Sequence, residues 1–107
     1  MAKQIYYLQI CDEWKSTDSM RLIFIGTSQR KLMMQISKEI EEENMIYKPC
    51  SIESDFVDGE FVQVEKLNSP KKQAKLFRQD WKTENRSYIN SLLEYGYFDY
   101  TYDNEEM

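Results

Sequence analysis

The sequence predicts an α+β fold, a small antiparallel or mixed sheet with two or three helices packed on one face. Three observations carry that expectation. Runs rich in β-branched and aromatic residues recur near the start, in the middle and near the end of the chain. Between them lie segments whose apolar residues recur every three or four positions, the helical period. Turn and capping residues then divide the strands into hairpins separated by helices, in the order β-β-α-β-β-α-(α)-β. With 107 residues there is enough chain for one hydrophobic core, so 1–107 reads as a single domain with a frayed tail over 103–107.

The first strand is expected over Gln4 to Trp14, on Ile5, Tyr6, Tyr7, Leu8 and Ile10. The polar stretch Lys15 to Ser19 suits a hairpin loop. Met20 to Ile25 follows as a second strand, and its nearly continuous apolar run predicts a central strand covered on both faces. Gly26 breaks it, and Thr27 or Ser28 caps a helix from Gln29 to about Glu43, with Leu32, Met33, Ile36 and Ile40 inward and Asn44 as its C-cap. Ile46 and Tyr47 begin an extended stretch that Pro49 places at an edge or in a loop.

Asp58-Gly59 is a strong hairpin signal. Phe61 to Leu67 reads as the strand after it, and Ile52 to Val57 either pairs with that strand or forms a helical turn capped by Ser51. Ser69-Pro70 starts a helix over Lys71 to about Lys82, burying Ala74, Phe77 and Trp81. A shorter helix from Asn85 to Glu94 is expected to bury Tyr88 and Leu92, with Ile89 and Leu93 as further candidates, and to stop at Gly96. Tyr97 to Tyr102 reads as the last strand. Trp14 and Trp81 are assigned to the core.

The chemistry is bounded mainly by what is missing. There is no histidine, so the usual base of Ser-His and Cys-His sites and the commonest transition-metal ligand are both lacking. Two separated cysteines, Cys11 and Cys50, do not complete a zinc site and read as buried or half-buried thiols. The carboxylate pairs Asp12-Glu13, Asp55 with Asp58, and Asp103 with Glu105 lack calcium-loop spacing. Gly26-Thr27-Ser28 has too few glycines for a phosphate-binding fingerprint. A non-enzymatic protein without cofactor or metal is therefore expected. Enzymes working by carboxylate or cysteine chemistry stay as a third reading. The longest apolar run, Leu22 to Gly26, is far short of the roughly 20 residues of a membrane span. The start of the chain lacks the apolar stretch of a secretory signal, so the expected location is the cytoplasm.

Charge is segregated. Between Glu39 and Glu60 eight acids face one base, Lys48, and from Glu94 onward come Glu94, Asp99, Asp103, Glu105 and Glu106 with no base. Between these lies a basic stretch containing Lys66, Lys71, Lys72, Lys75, Arg78, Lys82 and Arg86. Solvated faces account for most charge runs. The functional alternative is an acidic, tyrosine-rich surface that occupies the positions a partner's Lys and Arg hold for phosphates. Its candidate contacts are Tyr97, Asp99, Tyr100, Tyr102, Asp103, Glu105 and Glu106, together with Glu41, Glu42 and Glu43. The expected partner is a protein with a basic surface, since a net charge of -5 disfavours direct nucleic-acid binding. Homo-oligomerisation is left open. The competing reading is a small-molecule or nucleotide-binding protein that sequesters its ligand by stacking on tyrosines beside the basic helix.

Two stretches carry a resemblance. Cys11-Asp12-Glu13-Trp14-Lys15-Ser16 through Ser19-Met20-Arg21-Leu22-Ile23, and Tyr95-Gly96-Tyr97-Phe98-Asp99-Tyr100 through Glu106, resemble small uncharacterised proteins of bacterial phages and mobile elements. No functional residue is carried over from them. What the resemblance implies is a context, because short acidic proteins of such elements are often inhibitors of host defence systems, including anti-CRISPR proteins.

Overall fold

A computed structural model describes residues 3–103 and shows the α+β class. Strand β1 (Lys3–Ile10) lies between β2 (Arg21–Gly26) and β7 (Gly96–Asp103) in an antiparallel three-stranded sheet. Two further antiparallel pairs stand apart from it: β3 (Ile46–Tyr47) with β6 (Leu93–Glu94), and β4 (Cys50–Val57) with β5 (Glu60–Leu67). The helices are α1 (Gln29–Glu41), α2 (Pro70–Thr83) and α3 (Arg86–Leu92).

The core forms where α1 and α2 meet the three-stranded sheet. Leu8 of β1 pairs with Phe98 of β7 on one side and Phe24 of β2 on the other, so all three point to the helices. Leu32, Ile36 and Ile40 of α1 pack there, joined by Ala74 and Phe77 of α2 and by Tyr47, Ile89 and Leu93. Trp81, half-buried, lies across Phe98 with ring centres 5.2 Å apart. Two buried amides replace strand partners. Asn90 donates to the Phe98 carbonyl (2.7 Å) and accepts its N–H (3.2 Å), which ties α3 to β7. Gln73 accepts the Tyr47 N–H (3.0 Å) and donates to the Asn68 carbonyl (2.9 Å), which ties α2 to β3.

Local signals explain the element ends. Ser28 and Ser69 each accept the N–H three residues on, at 3.2 Å, and Pro70 opens α2 where its missing N–H costs nothing. Asp58 and Gly59 both take positive φ, as a two-residue hairpin turn of this hand requires. At the end of α1 Glu43 adopts φ 64, while the N–H of Glu43 bonds Ile40 and that of Asn44 bonds Glu39. This is a Schellman closure with glutamate in the left-handed position, so Asn44 sits just beyond the cap instead of forming it.

Several expectations are corrected. Strand β2 is an edge strand, not a central one; the helices cover only one face, and Leu22 and Ile25 are exposed on the other. The first strand stops at Ile10 because the Asp12 carboxylate captures the N–H groups of Trp14 and Ser16 and turns the chain. Trp14 is consequently 78% exposed and not in the core. In α3 Ile89 and Asn90 are buried and Leu92 is half-buried against the core, with Leu93 buried just beyond, whereas Tyr88 is exposed. Gly96 does not stop a helix; it begins β7, where an added Cβ would lie 2.5 Å from the Met45 sulfur. Asp103 belongs to β7, while Glu105 and Glu106 lie outside the described residues. No helix is long and apolar enough to cross a membrane among the described residues.

Candidate functional site

The clearest candidate surface is one end of the three-stranded sheet, where three chain reversals converge. The first is the loop from Cys11 to Met20. Its Asp12 carboxylate accepts from the Trp14 and Ser16 N–H groups (3.1 and 3.0 Å) and from the Ser16 hydroxyl (2.8 Å). These bonds hold the Asp12 carboxyl below its usual range, with the Ser16 N–H contributing most. The Asp12 N–H donates to the Ser19 hydroxyl oxygen (3.0 Å), closing the loop from the far side. Lys15 folds back and donates to the Asn90 carbonyl; burial lowers its pKa, against the pull of Cys11 and Glu94. The loop is thus pinned at both ends, with Glu13 and Trp14 at its tip.

The second reversal is the α1 terminus at Glu41, Glu42, Glu43 and Asn44, all exposed. The third is the turn Glu94-Tyr95 between β6 and β7, whose Tyr95 carbonyl accepts the Cys11 N–H at 3.0 Å. A shallow concavity of about 480 Å³ joins all three, lined by residues including Cys11, Ser19, Arg21, Glu39, Asn44 and Tyr95. Glu13, Asp18, Glu42, Glu43 and Glu94 are exposed on these three reversals, and none belongs to an ion pair among the described residues. Arg21 and Lys15 are the nearby bases. Trp14 and Tyr95, on the first and third reversals, supply exposed rings.

The residues expected to form the binding surface divide between this end and other places. Glu42 and Glu43 are here, and Glu41 leans away to Arg78 at 3.9 Å. Tyr97, Asp99, Tyr100, Tyr102 and Asp103 run along β7 towards the opposite end, where the backbone pairs Tyr102 with Gln4 and Asp103 with Lys3. An eight-residue strand spans about 25 Å, so the backbone at Tyr102 and Asp103 lies at the opposite end of the sheet from Glu42 and Glu43. Asp99 is engaged internally: it pairs with Arg86, accepts the Tyr97 hydroxyl (2.9 Å) and the Tyr100 N–H (2.7 Å). The bond to Asp99, then burial, pushes the Tyr97 hydroxyl's pKa up. Glu13, Trp14, Asp18, Glu94 and Tyr95 are not among the expected contacts. The Asp12-Glu13 pair followed by Trp14 is the available signal, masked by the expected strand over Gln4 to Trp14.

A second feature lies where β1 and β7 meet the helix starts. Tyr6, Trp81 and Tyr100 wall a cleft of about 280 Å³. Gln29 and Asn85 stand at its rim with Arg86, whose guanidinium lies 4.4 Å over the Tyr100 ring. The two thiols are half-buried and free. Burial raises the Cys11 pKa, and a hydrogen bond with Glu65 raises that of Cys50, so neither environment promotes a thiolate. No protein-family model, curated protein or solved structure matches the chain.

Proposed function

We propose that this chain is a non-enzymatic binding protein that engages a protein partner with a basic surface. The observation that supports it is the meeting, at one end of the sheet, of three reversals that carry exposed Glu13, Asp18, Glu42, Glu43 and Glu94, with exposed Trp14 on the hydrogen-bonded loop. Acids speed and orient encounter with a basic face, and a desolvated tryptophan supplies contact energy that charge alone does not. A nucleic-acid-processing protein of a host defence system fits both this chemistry and the resemblance to phage and mobile-element proteins. The test is capture and inhibition of a panel of defence nucleases at low and raised salt. Capture weakens as salt rises. Joint replacement Glu42→Gln, Glu43→Gln and Glu94→Gln slows association about tenfold or more, and Trp14→Ala speeds dissociation. Inhibition untouched by both changes, or by salt, overturns the reading.

The aromatic cleft favours a second reading, sequestration of a nucleotide or similar planar anion between Tyr6, Trp81 and Tyr100 with Arg86 on the charge. A thermal-shift screen with nucleoside phosphates checks it. A ligand at 100 times its Kd adds about 2.7 kcal/mol to the unfolding free energy. Arg86→Gln abolishes that shift; no shift with any nucleotide removes this reading.

A further inference from the structure

The hairpin of β4 and β5 projects from the body, giving the molecule extents of 66 × 29 × 19 Å and a radius of gyration of 16.9 Å, against about 13 Å for a compact chain of this length. A lone two-stranded hairpin is marginal in water, and this one has two unlike faces. Its register puts Glu53, Asp55, Glu60 and Lys66 on one face, interspersed with Val57, Val62 and Val64, and Lys66 there bridges Glu53 (3.2 Å) and Asp55 (3.4 Å). The other face carries Ile52, Phe56, Phe61 and Leu67, exposed by 72, 65, 78 and 85%, with Glu65 its only charge.

We propose that this apolar face is a self-association surface, and that its occupant is the same face of a second copy. Two properties point to a copy. The first is the pattern along the hairpin. Leu67 with Cys50 lies at the base and the Phe56–Phe61 pair, ring centres 5.1 Å apart, at the tip; Ile52 with Glu65 and Ser54 with Gln63 lie between. A two-fold axis through the middle sets Leu67 on the partner's phenylalanines and Glu65 beside the partner's Ser54 and Gln63. Apolar ends then meet apolar ends, and the one charge meets hydrogen-bond donors. The second is area. Phenylalanines of 150–250 Å² each, exposed as here, offer about 200–350 Å². Ile52 and Leu67 bring the face to roughly 400–600 Å², so two faces bury roughly 800–1,200 Å², the size of a weak specific dimer. The charged face stays in water, and the acidic end of the sheet takes no part.

Sedimentation equilibrium over a concentration series tests this. The expected result is a monomer–dimer equilibrium between 13.0 kDa and twice that mass. Phe61→Ser and Leu67→Ser each raise the dissociation constant at least tenfold, while Val62→Ser on the opposite face leaves it unchanged. Since these side chains are exposed, an unaltered near-ultraviolet circular dichroism spectrum establishes that each variant is folded. A chain monomeric throughout the series overturns the proposal, as does a dimer indifferent to Phe61 and Leu67. Monomers that bind lipid vesicles or a different protein through Phe61 also overturn it.

Discussion

The Tyr47 ring is fully buried, packed edge-on against Phe77 at 5.6 Å, so its hydroxyl requires a partner inside the protein. Asp80 supplies it, accepting from Tyr47 at 2.6 Å and from the Lys48 ammonium at 2.7 Å through the same oxygen. Burial raises the Tyr47 pKa most, and the bond to Asp80 raises it further. At Asp80 burial alone would raise the carboxyl's pKa, but the bonds from Lys48 and Tyr47 outweigh it and the net direction is down. A depressed carboxyl adds stability above its unfolded value of about 3.9, and that contribution fades as pH falls through the folded value. Asp80→Ala leaves a buried hydroxyl unpaired and lowers the unfolding free energy by about 1–3 kcal/mol at neutral pH, read by urea denaturation. The gap to the native chain narrows as pH drops below about 4. A gap constant across that range would show that the ionised carboxylate is not what stabilises Tyr47.

Elements whose ends are written in local chemistry are legible in the sequence. Ser28, Ser69-Pro70 and Asp58-Gly59 mark their helix starts and hairpin because each solves a problem within three residues of itself. What an element packs against is a different kind of information. The apolar run of β2 reads as a strand covered on both faces, yet the helices occupy one face only and leave Leu22 and Ile25 outside. Trp14 reads as core by its hydrophobicity, but the Asp12 hydrogen bonds turn it outward. The same limit applied to the site. Glu42 and Glu43 stand out as part of an acidic run, whereas Asp99 reads as equally available although Arg86, thirteen positions earlier, pairs with it. Pairing between distant segments leaves no mark in either one. The reversals that carry Glu13, Asp18 and Glu94 meet the one that carries Glu42 and Glu43 through tertiary convergence that no charge run announces.

At the scale of the molecule, a compact α+β body and a projecting hairpin are joined at a narrow base. The Asn68 N–H donates to the Pro49 carbonyl (2.7 Å), and its side-chain amide donates to the Lys48 carbonyl (2.8 Å) and the Ser51 hydroxyl (2.8 Å). These bonds hold the hairpin's two ends together from the body side, and Cys50 and Leu67 are directly paired. Opposed residues of an antiparallel pair have Cα atoms about 4.5–5.5 Å apart, a gap that a two-residue turn spans. Replacing Ser51–Lys66 by Asn-Gly is therefore expected to leave the body folded. The core residues Leu8, Leu32, Ile36, Ile40, Phe77 and Phe98 all lie outside the excised segment. The side-chain bonds lost to the body are the Ser51–Asn68 contact, about 1 kcal/mol, the Cys50–Glu65 bond and the exposed Lys72–Glu53 pair at 3.6 Å. Small-angle scattering should show the radius of gyration falling from 16.9 Å to about 12–13 Å, with cooperative unfolding in urea retained. Collapse of the shortened chain into a non-cooperative state would instead mean that the hairpin is part of the folding unit, and that the body's core is not sufficient by itself.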